Sequence, residues 1–130
     1  MLEKLYPYIQ AFHGVFLWFV LLFAVVAIAI AFSGWSGRKP VGPLLFPFSL
    51  TYVLAMDVEL ISGLLLYFGG TPDSRSLFGG HALLMFLAVL VAHIGGALTR
   101  KGPTDAIKHR GPAIAWVVSL LLIFLAIPRH

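Results

Sequence analysis

Residues 11–32 read AFHGVFLWFVLLFAVVAIAIAF and contain no Asp, Glu, Lys or Arg. About twenty consecutive apolar residues, each rising 1.5 Å, cross the roughly 30 Å hydrocarbon core of a bilayer as an α-helix. The stretch therefore predicts a transmembrane helix. It is too long for the apolar part of a signal peptide. The residues ahead of it carry no net charge, because Glu3 offsets Lys4.

Three more apolar stretches follow, at about residues 44–68, 82–98 and 112–127. Pro40, Gly42 and Pro43 separate the first span from the second. Gly69-Gly70-Thr71-Pro72 separates the second from the third, and Lys101-Gly102-Pro103 the third from the fourth. Linkers this short leave no room for a further domain. Residues 1–130 are expected to form one all-α integral membrane domain, a four-helix bundle of up-down-up-down topology.

Composition points the same way. The chain is 60% hydrophobic and 11% charged, against about a quarter charged in a typical soluble domain. A water-soluble fold of this size cannot hide that much apolar surface, so a lipid bilayer is the expected surrounding. The chain has no cysteine, which excludes disulfides, thiol redox chemistry and Cys-ligated zinc or iron–sulfur clusters. The net charge of +4 does not point to nucleic acid, because the basic residues gather at helix ends. Arg38, Lys39, Arg100, Lys101, Lys108 and Arg110 belong to one membrane face, and Lys4, Arg75 and Arg129 to the other. The richer face is expected to be cytoplasmic and both termini to lie outside.

On this topology His13 and His81 each enter a span from the outer face at matching depth. Neutral imidazole is a common metal ligand, and haem iron takes axial histidines. The third span also presents His81, Met85, Ala88, Ala92 and Gly96 on one face, where small residues leave room for a flat macrocycle. The competing interpretation is that the small residues serve close helix packing and that each His meets headgroups. His93 lies about 18 Å along the helix from His81, too far for one haem. It is a candidate for a second site near the inner face, with His109 the nearest histidine, or for an interior hydrogen-bonded, quinone or proton site. His109, within Lys108-His109-Arg110, reads as part of a solvated basic run, and so do Arg129 and His130 at the outer interface.

Asp57 and Glu59 fall near the middle of the second span, where a charge is costly. Two residues apart on a helix, they point about 200° apart and cannot share one site. At least one is expected to face the interior, protonated or hydrogen-bonded, and Asp57 is favoured because it is nearer the span centre. Candidate roles are fixing the tautomer of a ligand histidine, relaying protons to a quinone, binding a neighbouring subunit, or bonding to a neighbouring helix. No phosphate-binding Gly-rich loop, Ser/His/Asp array or HExxH motif is present.

Several stretches together resemble the small four-span bacterial membrane proteins described as cytochrome b-like. They are His13 to Phe16-Leu17-Trp18, Ser33-Gly34-Trp35, and Asp57-Val58-Glu59 followed by Gly63-Leu64-Leu65-Leu66-Tyr67-Phe68. To these are added His81-Ala82-Leu83-Leu84-Met85 running to His93-Ile94-Gly95, and the closing Ile127-Pro128-Arg129. The resemblance spans nearly the whole chain. Many members of that family carry Gln where this chain has Glu59, a departure from the pattern. The resemblance implies b-type haem, electron transfer and a bacterial inner membrane.

Three readings follow. The first is a haem b electron-transfer protein, alone or as a subunit of a respiratory or photosynthetic complex, with His13 and His81 as iron ligands. The second is a cofactor-free accessory subunit or homo-oligomer. The third is a quinone- or proton-handling protein built on Asp57, Glu59 and His93. None of them requires a stand-alone enzyme.

Overall fold

The computed structural model describes residues 2–127, so Arg129 and His130 lie outside the described residues. Four helices account for nearly all of it: α1 (Leu2–Ser36), α2 (Leu45–Gly69), α3 (Pro72–Lys101) and α4 (Asp105–Ala126). All four are long and apolar enough to cross a membrane. Three of them run past the apolar stretches. α3 begins at Pro72 rather than near Ala82, because the Thr71 side chain accepts the Ser74 N–H at 3.1 Å and Pro72 occupies the first turn. α4 begins at Asp105, capped by Thr104 on the Ile107 N–H at 3.2 Å. It runs through Pro112, whose missing N–H leaves the Lys108 carbonyl without its usual helical partner.

The helices form a ring in which α1 packs on α2, α2 on α3, α3 on α4 and α4 back on α1. Among the described residues, the diagonal pairs α1/α3 and α2/α4 never approach within 8 Å Cα to Cα. Leu2 of α1 lies against Gly69 of α2, and Gly34 of α1 against the His109 ring of α4. Arg100 of α3 sits 5.5 Å from the Phe46 ring of α2.

The inward stripe of α1 is made of small residues, Val20, Ala24, Ala27, Ala31 and Gly34, at helical spacing. Small side chains let neighbouring backbones approach closely. The half of the bundle near Arg100 is filled by large side chains from the α2/α4 diagonal. Trp116 is fully buried and lies against Gly95. Its Nε1–H donates to the Ala92 carbonyl at 3.2 Å, and its ring meets Tyr52 edge-on at 6.0 Å. Met56 is buried in the same core.

Candidate functional site

The other half of the bundle is hollow. A cavity of about 300 Å³ opens among His13, Gly14, Glu59, Gly63, His81, Ala82 and Met85. Its polar lining also includes Tyr6, Gln10, Tyr67 and Ser74. The cavity exists because Gly14, Gly63 and Ala82 carry little or no side chain where the opposite half holds Tyr52 and Trp116.

His13 and His81 reach this cavity from diagonally opposed helices. Their ring centres are 6.4 Å apart, with the planes at 86°. His81 Nδ1 lies 2.7 Å from the Ala126 carbonyl, an acceptor only, so Nδ1 carries the proton. His13 Nδ1 lies 2.8 Å from Ser62 Oγ. Ser62 donates its single proton to the Glu59 carbonyl at 3.0 Å, so its oxygen accepts from His13 Nδ1–H. Both tautomers follow from these partners. In its neutral form each ring keeps a lone pair on Nε2, and no hydrogen bond among the described residues uses either Nε2.

Glu59 is the acid that faces inward. It is 1% exposed, and its Oε1 lies 2.5 Å from His13 Nδ1. The contact is close but not aligned as a hydrogen bond, because the Nδ1–H is directed at Ser62. Neither carboxyl oxygen has a hydrogen-bond partner. A buried acid in this condition is uncommon and calls for a reason. Here the nearest one is electrostatic contact with the His13 N–H.

Asp57, the favoured interior acid from the sequence, faces outward instead and is 35% exposed. The physical reason is helix phase. The buried stripe of α2 runs Tyr52, Met56, Glu59 and Ser62, and Asp57 lies off it. His93 is likewise not an interior residue. It is 47% exposed, and its Nε2 lies 2.7 Å from Asp57 Oδ1 on the outer surface shared by α2 and α3.

His109 departs from the solvated reading too. It is 3% exposed, packs on Gly34, and donates from Nδ1 to the Asp105 carbonyl at 2.9 Å. The second-site pairing of His93 with His109 is thus not assembled, since each ring is held by a different partner. Met85 is buried on α3 and lines the cavity one helical turn from His81. Ser62 was missed in the sequence. Its signal was its place one turn after Glu59 on the same face.

No family model, curated protein or solved structure matches this chain.

Proposed function

We propose that the protein is a membrane-embedded electron carrier in which His13 and His81 are the axial ligands of one haem b. The observation that carries this reading is the pair of free Nε2 atoms on one cavity, each with its Nδ1–H already held. A ligating histidine characteristically donates its other N–H to a carbonyl or carboxylate, which fixes the ring and raises its basicity. Ala126 does this for His81, and the Ser62 hydroxyl accepts the corresponding N–H of His13, with the Glu59 carboxyl group beside it.

The spacing is compatible. Two imidazoles whose ring centres are this close could both reach one metal centre held between them. The observed separation is 6.4 Å. Among the described residues no cluster of three or more His, Cys, Asp or Glu could hold a bare metal ion. Two protein ligands suit a cofactor that brings the rest of its own coordination. When bound, haem b supplies a reversible one-electron couple.

The remaining work falls to the chain. Met85, Leu60, Leu64 and Ile123 give the site apolar walls. The carboxyl group of Glu59, left without a hydrogen bond beside the His13 N–H, increases electron donation by that imidazole. The resemblance to cytochrome b-like proteins points in the same direction.

The membrane arrangement is part of the proposal. The end contacts of α1 with α2 and α4, and of α2 with α3, support an up-down-up-down path. Six of the nine Lys and Arg then fall at the end away from His13 and His81. The positive-inside rule puts that end in the cytoplasm of a bacterium and the termini outside the inner membrane.

An absorption spectrum of the membrane-purified protein tests the cofactor. Reduced wild type is expected to show sharp b-type bands. His13→Ala and His81→Ala are each expected to abolish or grossly alter them, while His109→Ala and His130→Ala retain them. A haem-free wild type, or normal low-spin spectra in both ligand variants, overturns the assignment.

A further inference from the structure

The Asp57–His93 pair takes no part in the cavity chemistry, yet it is the most unusual feature of the outer surface. It sits near mid-span of α2, surrounded by exposed apolar side chains: Leu54 at 52%, Ile61 at 59% and Leu90 at 46%. The exposed face of α4 is by contrast wholly apolar along Ile114, Val117, Val118, Leu121, Phe124 and Leu125. No hydrogen bond among the described residues uses Asp57 Oδ2 or His93 Nδ1. Hydrocarbon offers these atoms nothing, and intramembrane ionisable groups ordinarily face protein or water. Some polar occupant must cover them.

We propose that the outer face of α2 and α3 is the interface of a twofold dimer of this chain, in which Asp57 of each copy meets His93 of the other. The inference rests on the membrane reading above but not on the haem. Two arguments select a second copy over other occupants.

The first is hydrogen bonding. With His93 Nε2 and Asp57 Oδ1 joined at 2.7 Å, the pair offers one ring nitrogen, Nδ1, and one carboxyl oxygen, Oδ2, for a further hydrogen bond. Such a unit is complementary to itself. The second is symmetry. A twofold contact is isologous, so that a residue i meeting j implies j meeting i. Asp57 and His93 touch at 2.7 Å, and so lie at one depth. A twofold axis along the membrane normal beside the pair sets α2 of one copy opposite α3 of the other. Each Asp57 is thereby placed opposite a second-copy His93 at the same depth, with no vertical shift. The four groups close into a ring of alternating Asp and His, in which Asp57 Oδ2 and His93 Nδ1 of each copy acquire partners.

The test is single-molecule photobleaching of labelled full-length protein in phosphatidylcholine–phosphatidylglycerol vesicles, diluted through decreasing protein-to-lipid ratios. Wild type is expected to bleach in two steps. Asp57→His and His93→Asp, which make rings of like groups, are expected to weaken the dimer by roughly tenfold to a hundredfold. The double exchange, Asp57→His with His93→Asp, restores the alternation and is expected to restore the dimer. A role confined to the single chain would leave the step count unmoved.

Should the single variants fail to fold by circular dichroism, proximity cross-linking decides. The chain has no cysteine, so Leu90→Cys is expected to cross-link between copies through a flexible bismaleimide, and Leu121→Cys on α4 is not. A wild type that stays single at the highest density overturns the proposal, as do single variants that dimerise like wild type or a Leu90→Cys protein that does not cross-link. A monomer also means that another subunit, a lipid or a quinone covers the pair. Flotation of the vesicles reads membrane insertion separately, so its failure is distinguishable from failure of the dimer.

Discussion

The His13 and His81 rings stand 6.4 Å apart and nearly perpendicular, although the backbones of the helices that carry them stay more than 8 Å apart, Cα to Cα, among the described residues. Each ring is positioned by a neighbouring helix in the ring of four: His13 by Ser62 of α2, and His81 by the last turn of α4. The site therefore depends on all four helices, and its geometry can be disturbed without altering either histidine.

Ser62→Ala removes the acceptor that fixes the His13 tautomer. Losing such an outer partner typically costs about 10–100-fold in metal affinity, and haemin titration of the apoprotein is expected to show a loss in that range. The bands should remain b-type, because both ligands survive. An unchanged affinity would show that Glu59 alone orients the ring.

Tyr52 and Ser119 form a buried bond of 2.6 Å whose direction can be assigned. Ser119 donates its proton to the Trp116 carbonyl at 2.8 Å, so the Tyr52 hydroxyl donates to Ser119. Tyr52→Phe removes a donor and leaves Ser119 satisfied, costing about 0.5–1.5 kcal/mol. Ser119→Ala strands a buried phenol and is expected to cost more, about 1–3 kcal/mol. Unfolding in mixed micelles measures both, and the reverse order would refute the assigned direction.

Glycines of α3 separate helix propensity from packing. A Cβ on Gly80 meets nothing within 4 Å, whereas one on Gly95 would lie 2.5 Å from Trp116 Nε1. Trp116 is fully buried and tied to Ala92, so it cannot swing away. Gly80→Ala is expected to stabilise by about 0.5–1 kcal/mol. Gly95→Ala is expected to destabilise by about 1–3 kcal/mol despite the same gain in propensity. Thermal unfolding of the two variants in one detergent makes the comparison.

Reporter fusions check the orientation. A reporter active only outside the cytoplasm, fused after His130, is expected to be active, and a cytoplasm-only reporter silent. The opposite pattern inverts the protein in the membrane, but His13 and His81 would still share one depth because both move together.

Four helices able to span a membrane were determined by the sequence alone, because four long apolar stretches separated by Gly- and Pro-containing breaks are a matter of counting. Matching depths for His13 and His81 followed from the same count. Helix starts were also written locally, in Thr71-Pro72 and Thr104-Asp105, though the apolar pattern drew attention away from them. Rotation about each helix axis was not legible. In a soluble bundle the polar face reveals the phase, but lipid is as apolar as the bundle core, so chains built for it show little contrast between inside and outside. Only the tertiary structure turns Glu59 inward and Asp57 outward, buries His109 on Gly34, and brings His93 to Asp57 on the surface. Those choices are made by packing, by Gly34 and Gly95 admitting the large rings of α4 and by Tyr52 filling one half of the interior while the other stays open.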